Sequence, residues 1–167
     1  MFTDNYQLGI KVIHHTQMID ELITSKAIKP NISNTKYVYH DPCELGRGSN
    51  IYDEPRRVLK SVGTLAEAPK HGKNSICCGG SAAGYPINDV QRSVIAQLAV
   101  DNLSQNQPDQ IVSGCPMCKK SLARFSDITV KDIAEIVAEA LHAKPEKIQI
   151  KTQVQKTHHL KIPNYQE

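Results

Sequence analysis

The cysteines are the residues of this sequence whose type and spacing point most directly to chemistry. There are five in 167 residues, and they form a single cysteine, an adjacent pair and a C-x-x-C motif: Cys43, Cys77, Cys78, Cys115 and Cys118. A lone C-x-x-C motif is typical of a redox dithiol or of half a zinc site. All five cysteines fall within this pattern, which therefore predicts one metal-binding constellation that performs electron or thiol/disulfide chemistry.

Iron and zinc are the two metals that this pattern favours. Iron–sulfur clusters are held by cysteine thiolates, whereas a structural zinc site takes four ligands and leaves no position open. A fifth cysteine is surplus for zinc, which favours iron and leaves zinc as the alternative. The adjacent residues Cys77 and Cys78 point in different directions, so they are expected to bind different irons of one cluster. The odd number of cysteines also argues against a disulfide framework.

The residues beside the cysteines suggest how the site is tuned. Gly79 and Gly80 follow the cysteine pair, and the absence of side chains allows their backbone N–H groups to approach sulfur. His40 is the candidate catalytic residue, because it could donate a proton to a departing thiolate or bond a cluster sulfur; alternatively, it packs at the end of a strand. Nearby cations either offset thiolate charge or are solvated surface groups: Arg47, Arg56, Arg57, Lys73, Lys119 and Lys120.

Composition narrows the class of protein. Apolar residues make up 40% of the chain and the net charge is only +3, without the dense basic patch expected for nucleic-acid binding. The first ten residues lack the pattern of a signal peptide, and no apolar run is long enough to span a bilayer. We therefore expect a cytoplasmic protein with no nucleic-acid partner, which reaches the inner membrane only as a peripheral component through a partner.

The predicted elements bring the cysteines together. Aromatic and β-branched residues predict a strand over Lys36–His40, and an apolar run predicts another over Gln110–Ser113, each ending shortly before a cysteine. Strands that alternate with helices predict an α/β fold, a single domain with a mainly parallel sheet flanked by helices. Since loops at the carboxyl ends of parallel strands meet at one edge, the cysteine loops should converge there.

Other segments have weaker signals. Helices are expected over about 7–27, 53–62, 90–103, 117–125 and 132–141, and short strands over Thr64–Ala68 and Ile128–Val130. In the third helix one side is predicted to carry Val90, Val94, Leu98 and Leu103. Glu44–Asn50 is predicted to be a loop. The chain is divided into an N-terminal helix and linker at 1–35, a cluster-binding domain at 36–142 and a polar tail at 143–167.

Three motifs resemble the cysteine-rich CCG domain. They are YHDPCELGR at Tyr39–Arg47, CCGG at Cys77–Gly80 and GCPMC at Gly114–Cys118. The similarity also includes Tyr52–Arg56 and Asp132–Glu135, and it spans about residues 10 to 142. This domain occurs in the catalytic B and D subunits of heterodisulfide reductase and in iron–sulfur subunits of glycolate, lactate and anaerobic glycerol-3-phosphate dehydrogenases.

The resemblance implies a non-cubane [4Fe-4S] cluster held by all five cysteines, with His40 and Arg47 nearby. In heterodisulfide reductase such clusters split a disulfide and deliver electrons one at a time. For this chain it implies an iron–sulfur redox subunit, part of a larger oxidoreductase, that carries electrons or reduces a disulfide or thiol substrate. The alternative is a structural zinc-binding or docking module of a flavin dehydrogenase complex.

The sequence departs from relatives of that family in two ways. They usually carry two CCG domains in tandem, and many carry a ferredoxin module, whereas this chain has one domain and no such module. The initial segment resembles the linker before the second domain, which suggests a second-copy, C-terminal identity. A ferredoxin-type or flavin subunit is therefore expected as partner, with homodimerisation as another way to restore the tandem arrangement.

Overall fold

Strands and helices alternate along the chain as predicted. The computed structural model describes residues 11–80 and 87–141. The strands are β1 (Lys36–His40), β2 (Thr64–Leu65), β3 (Gln110–Ser113) and β4 (Thr129–Asp132). The helices are α1 (His15–Thr24), α2 (Asp53–Val62), α3 (Asp89–Ser104), α4 (Pro116–Leu122) and α5 (Ile133–Ala140). The predicted tail at 143–167 lies outside the described residues, as do residues 1–10 of the predicted linker.

The strands form one parallel sheet in the order β2-β1-β3-β4. In the centre Val38 of β1 is level with Ile111 of β3, which in turn is level with Val130 of β4. Because successive side chains of a strand point to opposite faces, these three residues face α3 and α4, whereas Tyr37, Tyr39 and Val112 face α1, α2 and α5. The predicted α/β fold is confirmed as a single domain with helices on both faces.

Side-chain caps fix the beginnings of three helices. His14, Asn88 and Asp132 each accept a backbone N–H of the following turn, and a side chain three residues later bonds back to the cap residue. Such reciprocal capping satisfies N–H groups that the helix itself leaves unpaired. It explains why α1 begins at His15 and does not include residues 11–14, which the helix expected over about 7–27 required. Residues 7–10 of that expected helix lie outside the described residues.

The four residues predicted to share one side of α3 do not share a buried face. Val90, Val94 and Leu98 are 73%, 55% and 53% exposed, whereas Ala96, Ala99, Val100 and Leu103 are buried. Both stripes recur at helical spacing, so periodicity alone did not separate them. The buried side has small residues because α3 packs close to the cysteine loop: a Cβ atom added to Gly79 would lie 2.7 Å from the carbonyl oxygen of Arg92.

The segment after Cys43 is also more regular than predicted. Glu44–Gly48 forms a π-helical turn instead of a loop. Backbone bonds close it at both ends, from Gly46 N to Pro42 O at 2.8 Å and from Ile51 N to Leu45 O at 3.0 Å. Leu45 is buried and packs the turn against the core. The two glycines of this segment favoured a loop in the sequence and gave no sign of that packing.

The chain leaves the two central strands in opposite directions. From β1 it passes through α2 to β2, and from β3 it passes through α4 to β4 on the other face. Neighbouring loops that diverge in this way leave a crevice at the carboxyl ends of the strands, the usual ligand position in such sheets. Within residues 11–80 and 87–141, no helix is both long and apolar enough to cross a bilayer.

Candidate metal centre

The cysteines lie at the carboxyl end of the sheet. Cys43 follows β1 and opens the π-helical turn, while Cys115 follows β3 and is the N-cap of α4. Pro116 occupies the first position of that helix, where its missing N–H costs nothing. Cys118 lies within the same short helix, and Cys77 and Cys78 lie in the segment before α3. The cysteines therefore lie in three segments at the carboxyl edge of the sheet, as predicted.

Cys78 and Cys118 are in direct side-chain contact. Their Sγ atoms are 3.2 Å apart, and the residues are only 1% and 3% exposed. Ser121 holds this arrangement, because its hydroxyl donates to the carbonyl oxygen of Cys78 at 2.6 Å. Residues distant in sequence are therefore joined by the packing of α4 against the loop of the cysteine pair.

The two glycines after the pair bring N–H groups to sulfur, as the sequence suggested. Gly79 N donates to Cys77 Sγ at 3.4 Å, and Gly79 has a φ of +72°, which favours glycine. Gly80 N bonds similarly with Cys78 and lowers the pKa of that thiol, although other effects outweigh it. A Cβ atom on Gly80 would lie 2.9 Å from Ser121 Cβ, so side chains are excluded here by contact as well.

Without a metal the two thiols of the cysteine pair hold their protons. The hydrogen bond to Cys118 raises the pKa of Cys78 to about 11, with burial acting in the same direction. The bond with Cys78 and then burial raise the pKa of Cys77 above its usual range. Since metal ions bind thiolates, loading of these cysteines releases protons and becomes more favourable as pH rises.

Cys43 and Cys115 are partly exposed. Cys115 lines an apolar cavity of about 610 Å³ together with Pro42 and Glu44, the residues on either side of Cys43. This cavity occupies the crevice between the loops after β1 and β3. Among the residues that the structure describes, no three His, Cys, Asp or Glu side chains stand together as a ready-made metal site.

Tyr39 leaves a buried donor beside the cysteines. Among the residues that the structure describes, its hydroxyl has no hydrogen-bond partner, and it is inaccessible to solvent. A Cβ atom on Gly114 would lie 3.3 Å from it. Burial raises the pKa of this phenol far above its usual value, so it stays protonated. These residues fit a cluster held by thiolates, because the sulfur atoms of such a cluster accept hydrogen bonds. The site offers soft thiol ligands, backbone N–H groups directed at sulfur, and the unpaired Tyr39 hydroxyl next to Cys115.

His40 is buried at the end of β1 and bonds through both ring nitrogens. Its Nε2 lies 3.2 Å from the carbonyl oxygen of Ile76, and because a carbonyl only accepts, Nε2 carries the proton. Nδ1 lies 3.5 Å from the Ser113 hydroxyl. Burial lowers the pKa of His40, so the ring is neutral near pH 7. These contacts attach β1 to the residue before Cys77 and favour a positioning role.

The neutral burial of His40 predicts a pH dependence of stability. Below pH about 6.5 the unfolded chain binds a proton at His40 that the folded chain excludes, so stability falls as pH falls. The substitution His40→Gln keeps a donor for Ile76 and removes the titration. Urea unfolding of the metal-free chain between pH 7 and 5 measures how the free energy of unfolding changes with pH. In His40→Gln this change should be smaller than in the parent chain by up to about 1.4 kcal/mol per pH unit. Equal slopes for both proteins would contradict this role.

A buried ion-pair network supports the loop of Cys43. Arg56 donates to both carboxylate oxygens of Asp41 at 2.7 and 2.9 Å, and to those of Glu67 at 2.8 and 3.1 Å. Asp41 also accepts from Gly72 N at 2.7 Å. The guanidinium lies over the Tyr39 ring, 5.6 Å from its centroid. Asp41 thus joins β1, α2 and the segment that leads to Cys77.

Most of the cations near cysteines in sequence have structural partners. Arg57 pairs with Asp20, and Lys119 pairs with Glu135. Arg47 donates to the carbonyl oxygens of Lys73 and Ser75, which ties the π-helical turn to the other cysteine loop. Lys120 instead lines a cavity beside Gly79 and Gly80, together with Arg92 and Arg124. Sequence analysis missed these two arginines; the spacing of Lys120 and Arg124, one helical turn apart, was the available signal.

The fold and the site define a parallel α/β domain whose cysteine loops gather at the ends of the strands. Comparison with known families identifies which family this is. The model of the cysteine-rich CCG domain matches residues 37–123. The chain belongs to this family. The resemblance seen in the three cysteine motifs is therefore confirmed.

The chain is similar to parts of larger proteins. It is 39% identical over 143 residues to a protein described as a probable membrane-anchored ferredoxin from Chromohalobacter salexigens, covering 80% of this chain and 21% of the relative. It is 36% identical over 146 residues to one component of the dihydromethanophenazine:CoB–CoM heterodisulfide reductase from Methanosarcina barkeri, covering 81% and 35%. An EtfAB:quinone oxidoreductase from Syntrophomonas wolfei is 29% identical over 147 residues, covering 78% and 21%.

The chain thus spans between about a fifth and a third of the length of these relatives. No solved structure gives a significant match to it.

Proposed function

We propose that the five cysteines bind an iron–sulfur cluster of the [4Fe-4S] type, in a non-cubane form, and that the chain is a redox component of a larger oxidoreductase. When bound, the cluster would supply one-electron redox chemistry and iron that accepts a sulfur ligand. The observation that carries the proposal is the arrangement of buried thiols at 3.2 Å with backbone N–H groups directed at sulfur. Zinc binding within a docking module is the alternative outcome.

The relatives support the redox character of the proposal. Their names describe a ferredoxin, part of a heterodisulfide reductase and a quinone oxidoreductase. Because each of these relatives is several times longer than the matched region, we propose that the electrons come from a ferredoxin-type iron–sulfur or flavin subunit. Any membrane contact would then be made by that partner rather than by this domain.

The site chemistry favours a disulfide or thiol as the substrate. Reduction of a disulfide takes two electrons and two protons and yields two thiols, with the electrons coming from the partner. The apolar cavity beside Cys115 gives a small sulfur compound access to the partly exposed cysteines. Residues around it would bind and orient that compound, while His40 would hold the loop of Cys77 in place.

A thiol-dependent spectrum tests this proposal. The full chain, reconstituted anaerobically with iron and sulfide, is oxidised with and without 2-mercaptoethanol as the thiol probe. We expect an electron paramagnetic resonance signal that changes when the thiol is present, because a substrate sulfur binds at the site. If the signal of the reconstituted chain is the same with and without the thiol, the proposal of a disulfide or thiol substrate is contradicted. Electron transfer would then be the function that the cluster supports.

Because the Tyr39 hydroxyl is unpaired, replacing Tyr39 by Phe should not destabilise the metal-free chain, but it should disturb the cluster of the reconstituted chain. In the metal-free chain, Tyr39→Phe removes a buried donor that has no partner, so the free energy of unfolding should stay the same or rise by about 1 kcal/mol. In the reconstituted chain the same change removes a hydrogen bond to a cluster sulfur. We expect the midpoint potential to fall by on the order of tens of millivolts, since such bonds raise it.

Tyr37→Phe is the matched control, because Tyr37 is buried on the same face of β1. Chemical unfolding measures the first effect and a spectroscopic redox titration measures the second. A potential that is unchanged in Tyr39→Phe, or shifted equally in the control, would show that the hydroxyl does not contact the cluster.

A further inference from the structure

A second cavity, of about 290 Å³, lies beside the loop of the cysteine pair and between α3 and α4. Gly79 and Gly80 form part of its wall, and Arg92, Lys120 and Arg124 line it. We propose that this cavity binds an oxyanion, the phosphate or carboxylate group of a small molecule. The site is separate from the apolar cavity at Cys115, and its occupation does not depend on the metal.

The charges that line the cavity favour an anion. Among the described residues that line the cavity, Asp89 carries the one carboxylate, and Lys120 and Arg124 contribute two positive charges beside Arg92, whose Nε donates to the carbonyl oxygen of Ile87. Within the described part of the chain, Lys120 and Arg124 form no salt bridge, although nearby basic residues in the sequence do: Lys119 pairs with Glu135 and Lys131 with Glu139. The chain therefore neutralises its neighbouring cations and leaves the two in this cavity available to a ligand.

The neutral groups of the cavity are already engaged. The Ser121 hydroxyl donates to the carbonyl oxygen of Cys78, and the Ser93 hydroxyl donates to that of Asp89. Gly79 N donates to Cys77 Sγ. The donors left for a ligand are therefore the charged nitrogens of Lys120 and Arg124. An oxyanion bonds to them more strongly than a neutral acceptor does, because both partners of the hydrogen bond are then charged.

The shape of the cavity limits the ligand to a small one. Its volume lies at the lower end of the range for ligand pockets, and Phe125 and Met117 close part of it with apolar surface. The Arg124 guanidinium lies 5.8 Å from the centroid of the Phe125 ring, a contact that restricts its orientation. A phosphate or dicarboxylate matches this combination of size, charge and apolar rim.

Titration calorimetry on the full chain tests the site, with inorganic pyrophosphate and succinate as separate probes at constant ionic strength. We expect saturable binding with a Kd on the order of 1 mM. The double variant K120A/R124A should weaken binding by about tenfold or more, because it removes two charge-assisted contacts. The preferred probe distinguishes a phosphate-bearing ligand from a carboxylate-bearing one.

The control is K29A/K60A, which removes the same charge from exposed positions outside the cavity. It should bind the preferred probe within about twofold of the parent chain, since exposed charges that do not line the cavity are screened by solvent and salt. Equal weakening in both double variants would mean non-specific charge attraction and would overturn the site, as would the absence of saturable binding. Running each titration on metal-free and reconstituted chain separates this result from the outcome for the cluster.

Discussion

Replacing Arg56 by Met lowers the free energy of unfolding by about 3–5 kcal/mol, the range found when one partner of a buried ion pair is removed. The expected loss is large because Asp41 is 2% exposed and Arg56 is 11% exposed, and the two share paired hydrogen bonds. Without the guanidinium, the Asp41 carboxylate would remain buried with the backbone N–H of Gly72 as its donor and no cation beside it. Urea unfolding of the metal-free chain measures the change.

The neighbouring arginine provides a matched control. Arg57 bonds Asp20 with similar geometry, at 2.6 and 3.1 Å, but its side chain is 55% exposed. An exposed pair contributes at most about 1 kcal/mol, so Arg57→Met should cost far less than Arg56→Met. The double variant D41N/R56M should recover part of the loss, because it removes the uncompensated charge. Similar costs for the two arginines would contradict the structural role of the network.

Replacing Cys118 by Ala abolishes stable cluster binding in the reconstituted chain. Cys118 is buried within 3.2 Å of Cys78, so its removal takes away a proposed ligand that no exposed residue can replace. We expect iron and sulfide to fall to near background after desalting, together with loss of the visible absorbance. The same assay applied to Cys78→Ala should give the same result.

Met117→Ala is the control for that experiment. Met117 lies inside the same C-x-x-C motif and is half exposed, so its replacement changes the helix turn without removing a sulfur ligand of the site. It should retain the parent content of iron and sulfide. If Cys118→Ala also kept its iron, Cys118 would not be a ligand, and the proposed set of five would be wrong.

The elements at the site were predictable because their signals are local. Lys36–His40 and Gln110–Ser113 have the predicted bounds, since runs of aromatic and β-branched residues stop at Asp-Pro and Gly-Cys. The parallel sheet followed from the alternation of strands and helices. The cysteines then had to share one edge, because every parallel strand ends on the same side of the sheet.

The packing around the site depended on contacts that no local pattern contains. The valines of α3 have the spacing of a core stripe, yet the close approach of Gly79 selects the smaller Ala96 and Ala99 for burial. The contact between Cys78 and Cys118 likewise depends on how α4 meets the loop. Asp41 fixes its loop through Arg56, a partner that could be recognised only in three dimensions.

The most direct test of the central proposal is the content of iron and acid-labile sulfide per chain. Both are measured after anaerobic reconstitution and desalting. We expect about four of each per chain, as in a [4Fe-4S] cluster held by cysteine thiolates, and a brown protein with little zinc. A colourless chain that holds one zinc ion and no sulfide would contradict the cluster and would instead support the docking-module alternative.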